Sequence, residues 1–234
     1  MSDPIRLASA ARFTEQPALT HQLAAWNWLQ EQQKPATMAQ FAELFRADPT
    51  PTKPPLVQNA SLLSVPYFSQ NDNLSGTGYR ECFSSSCAML AAYHGRVTGD
   101  DEYNRLRAKH GDSTDASAQI ATLEALDLRA RFITNATAAT LENEINHRRP
   151  IAVGWLHHGS VAAPTGGGHW TVVIGFTTTP AAFIHNDPNG ECDLIAGLYV
   201  NKSGGRSISY SRRNWLPRWS PSPASGWCVT AEPA

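Results

Sequence analysis

The stretch Gly78–Leu90, GYRECFSSSCAML, sets Cys82 and Cys87 five positions apart around three consecutive serines. Ser84, Ser85, Ser86, Ala88 and Ala91 are small enough to let a helix pack closely, and Met89 and Leu90 add apolar bulk. The segment from Cys82 to about His94 is therefore expected to be a buried helix, with Cys82 at its N-terminus. There the unpaired N–H groups and the helix dipole favour a thiolate, and a nearby imidazolium would lower the thiol pKa further below its free value of about 8.5. Cys87 lies inside the helix and faces elsewhere. Taken alone, the pair reads as two buried small residues.

Around this stretch, 234 residues are enough for one large domain, or one domain with a small appendage, around a proper core. The hydrophobic fraction of 41% and charged fraction of 17% are those of a globular protein. The formal net charge is −1, and Lys and Arg are scattered rather than striped, which removes the electrostatic footprint of a nucleic-acid binder. Four cysteines (Cys82, Cys87, Cys192 and Cys228) are too few and too unevenly spaced for a disulfide framework, so free thiols are expected. No apolar run approaches the roughly 18 residues of a membrane helix, and the start, MSDPIRLASAARF, has no signal-peptide core. The expectation is a chain made in the cytosol and not inserted in a membrane. A target outside would need a separate agent to let it through.

The first 48 residues read as a helical hairpin. Leu19, Leu23, Trp26 and Leu29 fall at helical spacing, and so do Met38, Phe41, Leu44 and Phe45. DPTPTKPP brings four prolines in eight residues, so 49–60 is expected to be an extended connector. Residues 61–234 then form the main domain. Its β-like runs are LLSVPYF, RARFIT, IAVGWL, HWTVVIGF and AAFIHND, with weaker helices near 100–110 and 117–126. Helices come first and most strands later, which predicts an α+β fold on an antiparallel sheet.

Residues Pro164–Phe176, PTGGGHWTVVIGF, place three glycines before His169, freeing the backbone to approach a ligand, and then an apolar run that would hold the imidazole at the start of a core strand. If this run and AAFIHNDP form a hairpin centred near position 178, antiparallel pairing puts His169 opposite Asp187. A carboxylate there would fix the imidazole's tautomer and stabilise its charged form. Cys, His and Asp in that chain order, with the cysteine opening a helix and the others on adjacent strands, are the nucleophile, base and orienter of a thiol hydrolase.

VPYFSQNDN, GYRECFSSSCAML, GGGHWTVVIGF and HNDP together resemble the papain-like cysteine peptidases related to the double-glycine leader peptidases of bacteriocin exporters. The resemblance runs from about Ser64 to Pro188. It implies a papain-like fold, Cys82 as nucleophile, His169 as base, Asp187 as orienter and Gln70 as oxyanion-hole donor, with Gly167, Gly168 and Trp170 at the substrate. Gln70 suits that role physically, because a tetrahedral intermediate needs neutral donors aimed at its oxygen. The family usually carries Gly-Pro just after the nucleophile, whereas Phe83-Ser84 stand here, a departure at the turn that shapes the oxyanion hole.

Other chemistries fit less well. His157, His158, His169, His185 and Asp187 have no HExxH or paired CxxC spacing, so neither a metal nor another cofactor is expected, and His157 and His158 read as a solvated turn. No GxSxG elbow supports a serine hydrolase. Trp155, Trp170, Trp215, Trp219 and Trp227 read as core or rim. A helical module, a proline connector and a hydrolase domain, with the tail YSRRNWLPRW and SGW, resemble phage endolysins and related cell-wall hydrolases, which implies a peptidase or amidase with a peptidoglycan stem or cross-link peptide as substrate. Two alternatives stay open: an intracellular cysteine peptidase that processes a protein or leader peptide, and a non-enzymatic peptide-binding module. The presence of both Cys82 and His169 argues against the second.

Overall fold

The computed structural model describes residues 61–234. The expected helical hairpin of residues 1–48 and the connector of residues 49–60 lie outside the described residues. The cysteine-bearing segment forms helix α1, Cys82–Tyr93, ending one residue before the sequence expectation. Every residue from Phe83 to Leu90 is buried, so the small side chains do what their size suggests and let α1 run through the interior. Helices α2 (Asp100–Arg107) and α3 (Ala116–Ala125) pack beside it. Asp115 caps α3 by accepting from the Ser117 N–H at 2.9 Å.

The strands are β1 (Ser61–Leu62), β2 (Leu128–Ala136), β3 (Ile151–Trp155), β4 (His169–Thr178), β5 (Ala181–Asn186), β6 (Glu191–Asp193), β7 (Leu198–Asn201), β8 (Ile208–Ser211) and β9 (Gly226–Pro233). The main sheet runs β2-β9-β3-β4-β5-β8, with β1 also paired to β4, and every pairing is antiparallel. β6 and β7 form a separate ribbon. Helices α4 (Ala138–Asn146) and α5 (Arg212–Trp219) complete the domain. This is the expected α+β architecture, a nucleophile-type helix on an antiparallel sheet.

Several elements differ from the sequence expectation. LLSVPYF is strand only at its first residue, because after the Leu63 N–H bonds the Ile174 carbonyl the Val65 N–H turns back to the Leu63 carbonyl at 3.1 Å and leaves the ladder. Helix α4 follows a Thr137–Thr140 capping box that the sequence reading passed over. Within the main domain, YSRRNWLPRW supplies the end of β8 and α5, SGW opens β9, a strand absent from the expected β-like runs that lies between β2 and β3, and Trp215 and Trp219 are core residues.

The β4–β5 hairpin corrects the register. Its turn is Thr179-Pro180, with Thr178 paired to Ala181, not a turn centred on position 178. A bulge at Ile174 then takes one residue back, so that Val172 faces Asn186. Continued in that register, His169 stands opposite position 189 instead of Asp187. The error is two residues, and a slip of two keeps a side chain on its face, so Asp187 remains a diagonal neighbour of His169.

Candidate active site

Cys82 is the first residue of α1 and is half-exposed, while Cys87, Cys192 and Cys228 are buried. The next residue, Phe83, stacks on Trp170 with ring centroids 3.7 Å apart and planes within 6°. Trp170 in turn lies over Gly154 of β3, where a Cβ would come within 2.8 Å of the indole, so this ring needs a glycine beneath it. The stack joins the start of α1 to the start of β4, and it brings the preceding residues, Cys82 and His169, together. Phe83, in the place where the resemblance implies glycine, is therefore a packing residue that docks the nucleophile helix.

His169 is 3% exposed, and its Nε2 meets Asp187 Oδ1 at 2.7 Å. Asp187 is fully buried just beyond the end of β5. Its Oδ1 also accepts from the Asn189 N–H at 3.0 Å, and its Oδ2 from the hydroxyls of Tyr199 at 3.1 Å and Tyr210 at 3.0 Å. A buried carboxylate is tolerated when donors surround it, and here an imidazole, a backbone amide and two phenols do so. Burial, and then the Asp187 charge, hold both tyrosines well above the ordinary phenol value, so they stay protonated donors.

With Nε2–H committed to Asp187, Nδ1 is the nitrogen left for a second partner. Burial works against a charge on His169, but the Asp187 carboxylate and the Cys82 sulfur outweigh it and raise the imidazole pKa well above its ordinary value. The ring is walled by Trp155 at 5.6 Å, Tyr199 at 5.5 Å and His157 at 5.3 Å between centroids. His157 is accordingly not in the solvated turn expected of it. It is half-buried against His169, and burial, with the neighbouring His169 charge, lowers its pKa to about 3. His158 is exposed as expected, and His185 of β5 is buried with Nδ1 2.9 Å from Thr171 Oγ1.

Gln70 is 3% exposed and sits in a 3-10 turn, Gln70–Asp72. Its backbone N–H donates to the Pro188 carbonyl at 2.9 Å, next to Asp187, and its side-chain Nε2 donates to the Gly78 carbonyl at 2.8 Å, four residues before Cys82. One amide hydrogen remains on Nε2. Gly167 and Gly168 are exposed, and a Cβ at either would meet nothing within 4 Å, so the loop leading to His169 is open to an approaching chain. On the other side a groove of about 650 Å³ lies between α3 and β2, lined by Ile120, Ala121, Phe132 and Ile133 among others. Phe132 links it to the site, its ring 6.0 Å from Trp170 and 5.8 Å from Trp227, which is exposed.

The structure thus gathers Cys82, His169 and Asp187 as a chain of contacts, with Gln70 tied to both the Asp187 segment and the turn before Cys82. The sequence reading missed Tyr199, Tyr210 and His157. Tyrosines on short strands far along the chain carry no motif, and the Asp187 carboxylate that they serve is found only by folding.

Residues 62–201 match the sequence model of the Peptidase_C39 like family. Among solved structures, a Bacillus anthracis protein described as a C39-like peptidase is 13% identical with a TM-score of 0.53, over 76% of this chain and 99% of its own. A double glycine motif protease from an AMS/PCAT transporter, crystallised with the leader peptide, is 17% identical with a TM-score of 0.46, over 74% of this chain and 94% of its own. The peptidase domain of Streptococcus ComA, a bifunctional ABC transporter of a quorum-sensing pathway, is 19% identical with a TM-score of 0.46, over 67% and 93%. No curated protein matches the sequence. No helix among the described residues is long and apolar enough to cross a membrane.

Proposed function

Because the chain belongs to the Peptidase_C39 like family and is a cysteine peptidase, we propose that it works through Cys82, His169 and Asp187, with Gln70 as oxyanion donor, on peptidoglycan stem or cross-link peptides. The observation that carries the catalytic reading is the 2.7 Å contact of His169 Nε2 with a fully buried, four-donor Asp187, which leaves Nδ1 as the nitrogen available to a thiol, and Cys82 is the one cysteine among the described residues that is not buried. Cys82 as thiolate attacks the scissile carbonyl carbon. The carbonyl becomes an oxyanion that takes hydrogen bonds from the Cys82 N–H, unpaired in the first turn of α1, and from the free hydrogen of Gln70 Nε2. His169 gives its Nδ1 proton to the leaving amine, which departs and leaves a thioester on Cys82. His169 then takes a proton from water, the hydroxide attacks the thioester, and collapse releases the acid and restores the thiolate with its imidazolium. Asp187 keeps Nε2–H in place throughout and stabilises the charged ring.

The substrate reading rests on the sequence arrangement: a proline-rich connector and, ahead of it, a stretch whose apolar spacing predicts a helical hairpin, both preceding the peptidase domain, with Gly167, Gly168 and Trp170 assigned to the substrate. The test is to incubate the full chain with purified sacculi, with Cys82→Ala as the blank, and to identify released fragments by mass spectrometry. New amino termini in stem or cross-link peptides are expected. Cleavage of free peptides with intact sacculi would assign the enzyme to protein or leader processing instead. A chain beginning at Ser61 should cleave soluble peptides normally and lose most activity on sacculi if residues 1–48 place it on the wall. Equal losses on both substrates would make those residues structural.

A further inference from the structure

Glu81, the residue directly before Cys82, is a carboxylate only 2% exposed, and among the described residues it makes no salt bridge. Glu81 is the N-cap residue of α1, but its side chain makes no capping hydrogen bond. Its oxygens instead collect the loop that runs from Gln70 back to the nucleophile. Asn73 Nδ2 donates to Oε2 at 2.6 Å, Ser75 Oγ donates to Oε2 at 2.8 Å, and Thr77 Oγ1 donates to Oε1 at 2.8 Å. A buried carboxylate costs several kcal/mol unless such donors surround it, and hydrogen bonds to an ionised acceptor are about twice as strong as neutral ones. The loop is therefore held in one shape.

That shape has one exit toward the chemistry. The Gly78 carbonyl accepts from the Glu81 backbone N–H at 3.0 Å and from Gln70 Nε2 at 2.8 Å. Gly78 approaches Gln70 so closely that a Cβ would lie 2.0 Å from the Gln70 carbonyl oxygen, so the two turns are in contact along their backbones. Each bond fixes the next: the carboxylate sets the loop, the loop sets the Gly78 carbonyl, and the carbonyl sets the direction of the Gln70 amide.

We propose that Glu81 is a positioning residue for the oxyanion hole, holding the Gln70 amide beside Cys82 through Asn73, Ser75, Thr77 and the Gly78 carbonyl. This rests on the reading of Gln70 as oxyanion donor. It also explains how a hole forms without the Gly-Pro expected after the nucleophile: the glycine that shapes it is Gly78, ahead of Cys82.

Two reagents separate positioning from general damage in the full-length chain. p-Nitrophenyl acetate acylates Cys82 through a tetrahedral oxyanion, expelling p-nitrophenolate, while iodoacetamide alkylates the same sulfur by displacing iodide and forms no oxyanion. With Cys82→Ala as the blank, Gln70→Ala should slow acylation by about 10² to 10³ and leave alkylation within about twofold. Glu81→Gln, which keeps the shape but presents an NH2 where a donor already points, should slow acylation about ten- to a hundredfold, again sparing alkylation. Asn73→Ala, which removes the shortest of the three bonds, should act in the same direction and decides the matter if Glu81→Gln does not fold. In a Gln70→Ala background neither change should cost more than about another twofold. Normal acylation in a folded Glu81 or Asn73 variant, equal slowing of alkylation, or full additivity with Gln70→Ala would overturn the proposal. Unchanged acylation in Gln70→Ala alone would instead overturn the oxyanion role of Gln70.

Discussion

Two cysteines five residues apart on one helix have opposite environments. Cys82 opens α1 at the surface beside His169, whereas Cys87 is fully buried, and burial pushes its thiol pKa far up. Iodoacetamide near neutral pH should therefore label Cys82 rapidly and Cys87 only after unfolding, and peptide mapping reads the order directly. Labelling of Cys87 first would remove the chemical distinction between them. The base makes a second prediction. Because Asp187 and the Cys82 sulfur outweigh burial and raise the His169 pKa, the ring keeps its proton through neutrality, so the alkaline limb of the kcat/KM profile should fall well above the ordinary imidazole value of about 6.5. Asp187→Asn should retain some activity and move that limb down, because the carboxylate that holds the proton is gone, whereas Cys82→Ala and His169→Ala should abolish turnover with folding intact.

Between elements, the site depends on loops tied down from behind. Arg218 of α5 is 1% exposed and donates to four carbonyls: Leu156, His158 and Gly159 on the loop that carries His157, and Leu194 just after β6. The β6–β7 ribbon in turn delivers the Tyr199 hydroxyl to Asp187. A planar five-donor fork suits this task, and neither an ammonium nor an apolar chain reproduces it. Arg218→Met should therefore lower stability by about 3 kcal/mol, since it strands several buried carbonyls, and Arg218→Lys should recover only part of that loss. Urea denaturation of the three proteins measures it. A loss below about 1 kcal/mol in Arg218→Met would show that those carbonyls find other partners.

For the domain as a whole, the segment after Asn201 completes the main sheet. β9 lies between β2 and β3, so a chain ending at Asn201, although it spans the family match, should not fold: the sheet would be cut in two. Circular dichroism of that chain is the check, and a cooperative thermal transition would contradict it. The core also sets an acid limit. Burial, followed by the nearby His169 charge, lowers the pKa of His185 to about 3. The unfolded chain binds that proton below about pH 6.5 and the native one does not until about 3, so stability falls as pH drops through this window. Between about pH 7 and 5 the loss from this one group is about 2 kcal/mol. His185→Phe should flatten the decline by that amount, as read from urea midpoints at the two pH values, and an unchanged slope would assign the acid sensitivity elsewhere.

The features legible in the chain alone are local: a helix from Cys82 made of small residues, an apolar strand opened by His169, and helices ahead of an antiparallel sheet. These follow from side-chain size and periodicity over a few residues, and the family resemblance put roles on Cys82, His169, Asp187 and Gln70. Everything else waited on packing. The β4–β5 register depended on a bulge at Ile174 that no pattern announces, and Asp187 survived the error because a two-residue slip preserves the face. The partners of Asp187, Tyr199 and Tyr210, come from strands 12 and 23 residues further along, and the half-buried place of His157 depends on a clamp from α5. β9 is not among the runs whose pattern predicts a strand, yet it fills the middle of the sheet. Contacts between residues far apart in the chain are properties of the assembled core, and no short window of sequence contains them.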